Sequence, residues 1–167
     1  MTGDTTASID HEMFLRRAFA VAKRAYTHGN HPFGAILVDT AGAVLLEVEN
    51  GYMPDCDMTA HAERLLATQA SRAHRPKFLA LCTIYSSAEP CAMCAGAIYW
   101  SGIGRVVFGL SERRLKAMTG DHAENPTLDL ACRVVLAAGQ RSIEVIGPLL
   151  EDEAAALHSG VWQPARN

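Results

Sequence analysis

The sequence predicts a mixed β-sheet between layers of helices. Helical and strand-like patterns alternate along most of the chain, and the first two strands follow one another directly as a hairpin. A hairpin pairs its strands antiparallel, whereas later strand–helix–strand crossovers place their strands parallel. The chain has 167 residues, of which 49% are hydrophobic and 20% are charged. We therefore expect one domain over residues 1–167 with a sizeable core.

The individual elements are indicated by apolar spacing and by Gly, Pro, Asn and Asp at their ends. Asp10 is a candidate N-cap for the first helix, and Gly29 to Pro32 end it. The predicted helices cover residues 10–28, 60–74, 91–100, 113–118, 126–138 and 151–158. The predicted strands cover residues 33–38, 43–49, 78–85, 104–108 and 142–146, which gives a sheet of five strands.

Charge and composition disfavour several classes of protein. The formal net charge of -3 provides no general attraction to nucleic acid, although a local basic patch such as Arg113, Arg114 and Lys116 is compatible with it. Residues 1–8 are polar and do not resemble a secretion signal, and no apolar run is long enough to span a bilayer. Five cysteines, an odd number, argue against a disulfide framework. We expect a cytoplasmic protein without a membrane segment.

Two short motifs carry potential metal ligands. His61-Ala62-Glu63 supplies one histidine, and Pro90-Cys91-Ala92-Met93-Cys94 supplies two cysteines. A structural zinc site normally has four protein ligands, whereas a catalytic site has three and leaves one position for water. His61, Cys91 and Cys94 therefore predict a catalytic zinc site. All three fall near predicted helix starts, where the helix dipole favours the thiolate form of cysteine.

Glu63 lies too close to His61 in sequence to be an easy second ligand, and we predict that it carries protons. It would take a proton from the activated water and deliver protons to a ring nitrogen and a departing amine. Two alternatives stay open. In one, Cys56 or His31 completes a closed structural zinc site; in the other, the motifs bind no metal.

The motifs resemble those of the cytidine deaminase-like superfamily. The resemblance extends over residues 14–109, and it is closest to the branches of bacterial guanine deaminase and tRNA adenosine deaminase. It implies a three-layer α/β/α sandwich, bound Zn²⁺, and a homodimer with its sites near the subunit interface. It also implies that Asn50 and the backbone N–H of Ala62 bind the base. The segments that carry it are Pro32-Phe33-Gly34-Ala35, Asn50, Thr59 to Glu63, Glu89 to Cys94 and Ala95 to Trp100.

The substrate is predicted by residues outside the metal motifs. Phe33 and Trp100 could form a stacking wall for a planar base, with core packing as the alternative. The resemblance to guanine deaminase implies an acidic contact to the base; among the acids after Gly109, Glu124 is our preferred candidate, with a solvated loop charge as the alternative. These residues favour a free base or nucleoside, guanine or a related purine first. The alternatives are a tRNA adenosine deaminase, which the acidic C-terminal region disfavours, and a non-catalytic zinc-stabilised module.

Overall fold

The computed structural model describes residues 9–162, and within them five strands form one mixed sheet. The strands are β1 (Gly34–Val38), β2 (Val44–Glu49), β3 (Thr83–Ala88), β4 (Arg105–Leu110) and β5 (Glu144–Ile146). Their order across the sheet is β2-β1-β3-β4-β5. β1 is antiparallel to β2 and β3, whereas β3, β4 and β5 are parallel. The predicted five-stranded mixed sheet is confirmed.

Helices cover both faces of the sheet and complete a three-layer α/β/α arrangement. The helices are α1 (His11–Thr27), α2 (Ala62–Ala73), α3 (Pro76–Leu79), α4 (Ala92–Ser101), α5 (Glu112–Thr119), α6 (Cys132–Ala137) and α7 (Glu151–Ala156). One core cluster joins the sheet to α2, α3, α4 and α6. The other joins it to α1, α5 and α7. Across residues 9–162, none of the helices has both the length and the apolar character that crossing a membrane requires.

The first helix shows how local chemistry fixes the layers. Asp10 is its N-cap, and the Asp10 side chain accepts a hydrogen bond from the Met13 backbone N–H at 3.0 Å. Where α1 packs on β1, a side chain at position 34 would collide with the backbone of Val21 and Ala22. Gly34 therefore lets α1 pack directly on the start of β1, next to Phe33.

Two predicted elements differ from the structure. The predicted strand 78–85 begins as the short helix α3, because Pro76 suits the first turn of a helix, and β3 starts only at Thr83. The predicted helix 126–138 is helical only from Cys132 to Ala137. The residues before it form a loop in which the Asn125 amide donates to Thr127 Oγ1 at 2.9 Å. The judgement about a secretion signal concerns residues 1–8, which lie outside the described residues.

One edge of the sheet collects the chemically important side chains. Because β1 runs against both of its neighbours, its first residue lies beside the last residues of β2 and β3. The parallel strand β4 ends at the same edge, with Leu110 paired to Ala88. Consequently Phe33, Asn50, Glu89 and Ser111, which adjoin these strand ends, lie at the same edge of the sheet.

Candidate active site

The three predicted metal ligands converge at this edge. His61 is the N-cap of α2, Cys91 is the N-cap of α4, and Cys94 lies in the first turn of α4. His61 Nδ1 is 3.7 Å from Cys91 Sγ and 3.6 Å from Cys94 Sγ. The three donor atoms all lie within 4.8 Å of one another. Residues far apart in sequence are thus brought to one point by two helix starts.

These separations fit a zinc ion. Tetrahedral zinc with bonds of about 2.3 Å to sulfur and 2.0–2.1 Å to nitrogen holds such atoms about 3.6 Å apart. Within residues 9–162, no fourth His, Cys, Asp or Glu joins the group. Cys56 is exposed, and His31 bonds instead to Glu124. The alternative of a closed site with Cys56 or His31 is therefore wrong for the described chain, and the donor set is that of an open zinc site.

The surroundings favour the thiolate form at Cys91, whereas the hydrogen bond with Cys91 and burial raise the pKa of Cys94. A hydrogen bond with Cys94, and then one with His61, lowers the pKa of Cys91 to about 4. The amino ends of α2 and α4 both lie at the ligands, and the positive ends of their dipoles act in the same direction. The predicted benefit of a helix-start setting agrees with this geometry.

Glu63 lies beside the ligands and is held in one orientation. It is buried, and Ser86 Oγ donates a 2.6 Å hydrogen bond to its Oε1. Burial raises the pKa of Glu63. Cys94 Sγ donates to Oε2 at 3.8 Å, so the second oxygen of the carboxyl is on the metal side. Sequence reasoning missed Ser86, because a serine in an apolar strand carries no motif.

The predicted base-binding groups also lie at the site. Asn50 is 3% exposed, and its Oδ1 accepts from the Tyr52 backbone N–H at 3.0 Å, which leaves its amide nitrogen available. Ala62 is the first residue of α2, where a backbone N–H has no partner within the helix. Asn50 shares a small compartment with His61 and Phe33.

Free space near the ligands is divided into inner and outer parts. The inner compartment, beside His61, Glu63 and Cys91, has a volume of about 30 Å³, enough for one or two waters. A second compartment of about 10 Å³ lies beside Asn50 and His61. Phe33 and Asn125 line both. The free space beside the ligands is therefore smaller than a planar base.

A much larger outer cavity of about 850 Å³ adjoins the second compartment. His31, Tyr52 and Glu124 line both spaces. His31 stacks on Tyr52 with ring centroids 4.6 Å apart, and Trp162 closes another side of the cavity. Glu124 bonds to His31 Nε2 at 2.9 Å, so the acidic residue predicted to contact the base lies at the mouth of the site.

Trp100 is the predicted site residue that the structure places elsewhere. Its side chain is 85% exposed on α4, edge-on to Tyr99, and it lines neither compartment beside the metal ligands. Trp100 follows Cys94 by six residues, which turns it well away from the ligand face of the helix. Neither the stacking wall nor the core packing predicted for it is formed within the described chain.

Sequence reasoning gave no role to Glu112 or Asn125, and it named Glu89 only within the segment that carries the resemblance. Glu112 and Asn125 line the inner compartment together with Glu89. Glu89 holds α5 and α6 in place beside the inner compartment, because its two carboxyl oxygens accept hydrogen bonds from the backbone N–H groups of Glu112 at 3.0 Å and Cys132 at 2.9 Å. A signal for Glu89 was available in its place directly before Pro90. Glu112 and Asn125 reach the site only through the long-range pairing of β3 with β4.

Comparison with known proteins gives a consistent result. Residues 8–110 match the family model of the cytidine and deoxycytidylate deaminase zinc-binding region. A probable cytosine deaminase of Schizosaccharomyces pombe is 44% identical over 153 residues, covering 92% of this chain and 93% of that protein. A tRNA-specific adenosine deaminase of Aquifex aeolicus is 38% identical, covering 62% and 68%. The solved guanine deaminase of Nitrosomonas europaea superposes with a TM-score of 0.74 at 28% identity, covering 89% and 82%.

Proposed function

The chain belongs to the cytidine and deoxycytidylate deaminase family, and on that premise we propose that it removes the amino group from a free nucleobase or nucleoside, guanine or a related purine-like base first. It is a zinc-dependent hydrolytic deaminase, and it resembles guanine, cytosine and tRNA adenosine deaminases. The observation that carries the chemistry is an open three-ligand set with a buried carboxyl beside it.

The roles of the chain's own residues follow from their positions. His61, Cys91 and Cys94 would hold zinc, which supplies a Lewis acid for activating water at neutral pH. Ser86 occupies Oε1 of Glu63, so Oε2 is the oxygen that exchanges protons with the reactants. Glu63 accepts a proton from water and returns protons to the ring nitrogen and the amine. The carbon–oxygen bond forms, the carbon–nitrogen bond breaks, and ammonia leaves.

The charges of the residues at the entrance favour a small uncharged substrate rather than a polynucleotide. Asp121 and Glu124 line the outer cavity, and none of the described residues that line it is Lys or Arg. Recognition of a phosphate backbone relies on such cations. The tRNA-type alternative would therefore have to place its phosphates elsewhere. We assign Asn50, the Ala62 N–H and Phe33 to the base, and Glu124 to an outer contact.

Cytosine is a second candidate substrate for a specific reason. The relative called a probable cytosine deaminase matches 92% of this chain, so the match includes much of the segment after residue 110. That segment contributes Glu112 and Asn125 to the inner compartment. The match to the tRNA-specific enzyme covers only 62% of the chain.

Ammonia release across one substrate panel tests the proposal. Purified zinc-loaded protein would be assayed with guanine, guanosine, cytosine, cytidine, adenine, adenosine and an anticodon stem-loop. We expect turnover of guanine or cytosine, and little with the stem-loop. Turnover of the stem-loop alone would overturn the assignment to a free base. Zinc without turnover of any compound, in a protein whose Glu63 is intact, would favour the non-catalytic module.

We also propose a cytoplasmic homodimer with its sites near the interface. Met93 and Trp100 expose 36% and 85% of their surface on α4, the helix that carries both cysteines. Val134 on α6 adds another apolar side chain that is 59% exposed. Contact through these helices would place a partner close to the metal ligands. Light scattering during gel filtration should give a dimer for the natural protein and a monomer for Trp100→Glu.

A further inference from the structure

Two asparagine side chains line the small compartment beside His61, and each is held by a different end of its amide. Asn50 and Asn125 both line this compartment, and Asn125 also lines the inner compartment. Asn50 Oδ1 accepts from the Tyr52 backbone N–H, which leaves the Asn50 amide nitrogen to donate. Asn125 Nδ2 donates to Thr127 Oγ1 at 2.9 Å, which leaves the Asn125 amide oxygen to accept. The compartment therefore has a donor on one amide and an acceptor on the other.

A short chain of hydroxyl groups decides which end of the Asn125 amide is held. The Oγ1 of buried Thr119 donates to the Lys116 carbonyl at 3.4 Å, so the single Thr119 proton is used. The 3.2 Å contact between Thr119 Oγ1 and Thr127 Oγ1 then needs the Thr127 proton. The other acceptor for that proton is the Asn125 backbone carbonyl at 3.5 Å, and the result is the same. In both cases Thr127 accepts from the Asn125 amide nitrogen, and the amide oxygen is turned away from Thr127.

The backbone of Asn125 is held as well. Its N–H donates to the His122 carbonyl at 3.0 Å and closes a turn in the loop between α5 and α6. Pro126 follows and restricts the backbone further. Both the position of Asn125 and the orientation of its amide are thus set by contacts within the protein. A polar group that is oriented before the substrate arrives suits recognition of that substrate.

We propose that Asn125 binds the substrate, and that its Oδ1 accepts a hydrogen bond from a ring N–H of the base while the Asn50 amide donates to a ring acceptor. This inference rests on the proposed deamination of a free base. Cytosine has one ring N–H, at N1, and guanine has one at N1 and one in its five-membered ring. Both bases also carry ring acceptors. In cytidine the sugar occupies N1, so cytidine lacks the donor that Asn125 would bind.

Bases methylated at one ring nitrogen test the contact. The kcat/KM would be measured for cytosine against 1-methylcytosine, and for guanine against 1-methylguanine and 9-methylguanine. In the natural enzyme, methylation of the N–H that meets Asn125 should lower kcat/KM by roughly 10–100-fold. In Asn125→Leu this ratio should fall by about ten-fold or more, because the unmethylated base loses a partner and the methylated one has none to lose. Asn125→Asp should keep the ratio, because a carboxylate also accepts and Thr127 can turn its proton towards it.

Thr127→Val tests how the amide is oriented. Without the hydroxyl the Asn125 amide can turn, and the KM of the unmethylated base should rise by about 3–10-fold with little change in kcat. Thr68→Val is the matched control. Thr68 is a half-buried threonine whose hydroxyl donates to the Arg64 carbonyl within α2, so its replacement should leave KM and the methylation ratio unchanged.

If Asn125→Leu kept the ratios of the natural enzyme at every methylated position, the contact would not exist. A lower unfolding temperature in both Asn125 variants, with methylated and unmethylated bases affected equally, would make Asn125 a structural residue and would also overturn the inference. A natural enzyme that turns over no free base gives a different result. It removes the proposed function itself, and the role of Asn125 with it.

Discussion

The metal-binding end of the site and its substrate-facing wall are built in different ways. The metal end uses two helix starts, and its candidate ligands and proposed proton carrier come from two short segments, 61–63 and 91–94. The wall uses the start of β1, the start of α5 and the irregular loop before α6, which supply Phe33, Glu112 and Asn125. Helix-start geometry orients the ligands within each short segment of the first region, whereas residues of the second come together only through the pairing of distant strands.

The difference extends to hydrogen bonding. At the metal end, Glu63 is held by Ser86, and the three ligand atoms face one another. In the wall, the Asn125 carboxamide bonds only to Thr127 among the described residues, and Glu124 is half exposed in its pair with His31. Fixed side chains at the metal end suit a single reaction. Side chains with fewer hydrogen bonds in the wall suit recognition of different substrates on the same fold.

Loss of a metal ligand should have the largest effect. Cys94→Ala is expected to bind no zinc at neutral pH and to reduce ammonia release to background, because two ligands hold zinc poorly. Zinc content by atomic emission and ammonia release would be measured on the same sample. Cys82→Ala is the matched control, since Cys82 is a buried thiol outside the ligand group. A Cys94 variant with full zinc and full activity would show that the metal end is not the reactive region.

Replacement of the proton carrier should have the next largest effect. Glu63→Gln keeps the shape of the side chain and an acceptor for Ser86, so zinc should stay bound. The kcat should fall by about 10²–10⁴-fold, the usual contribution of general acid–base catalysis. Steady-state kinetics with zinc analysis would check this. Normal turnover would contradict the role of Glu63.

The orientation of Glu63 can be separated from its chemistry. Ser86→Ala removes a hydrogen bond to a carboxyl, which is typically worth a 10–100-fold effect, and we expect it in kcat with little change in KM. Ser87→Ala is the matched control, because Ser87 is the neighbouring buried serine but accepts from Gly34 N–H instead. It should lower the unfolding temperature and leave kcat unchanged. Equal kinetic effects of both variants would remove the positioning role of Ser86.

The sequence was most informative where one motif determines both local structure and chemistry. The helix-start positions of His61, Cys91 and Cys94 were predicted correctly, and the mixed sheet followed from the hairpin and the crossovers. The wall was predicted less well. Trp100 is exposed, the predicted helix from Pro126 is mostly a loop, and Glu112 was not considered. Side chains brought together by strand pairing leave no spacing pattern that a single sequence displays.

Buried His158, which packs against Phe33 and Trp162, should make the stability of the fold depend on pH. His158 is buried against Phe33, and burial lowers its pKa to about 4. Because its folded pKa lies below the usual 6.5, neutral His158 contributes full stability above pH 6.5, and the contribution is lost as the pH falls towards 4. Between pH 7 and pH 5 the loss should be about 2 kcal/mol.

His158→Asn retains an acceptor for Trp162, which donates to His158 Nδ1, and it should remove this part of the pH dependence. Urea unfolding at both pH values would measure it. The same pH dependence in both proteins would show that His158 titrates freely.

Replacement of Glu124, which lies outside the inner compartment, should have the smallest effect on activity. Its carboxylate is 51% exposed and pairs with His31, and exposed pairs are typically worth about 0–1 kcal/mol. Glu124→Gln should therefore change kcat/KM for any one base by less than about five-fold, with zinc content unaffected. Competition between guanine and cytosine, run with the natural protein and with the variant, would measure a small change in the ratio of their kcat/KM values. A loss of about 100-fold would mean that Glu124 enters the inner compartment when substrate binds, and that the loop carrying it closes over the base.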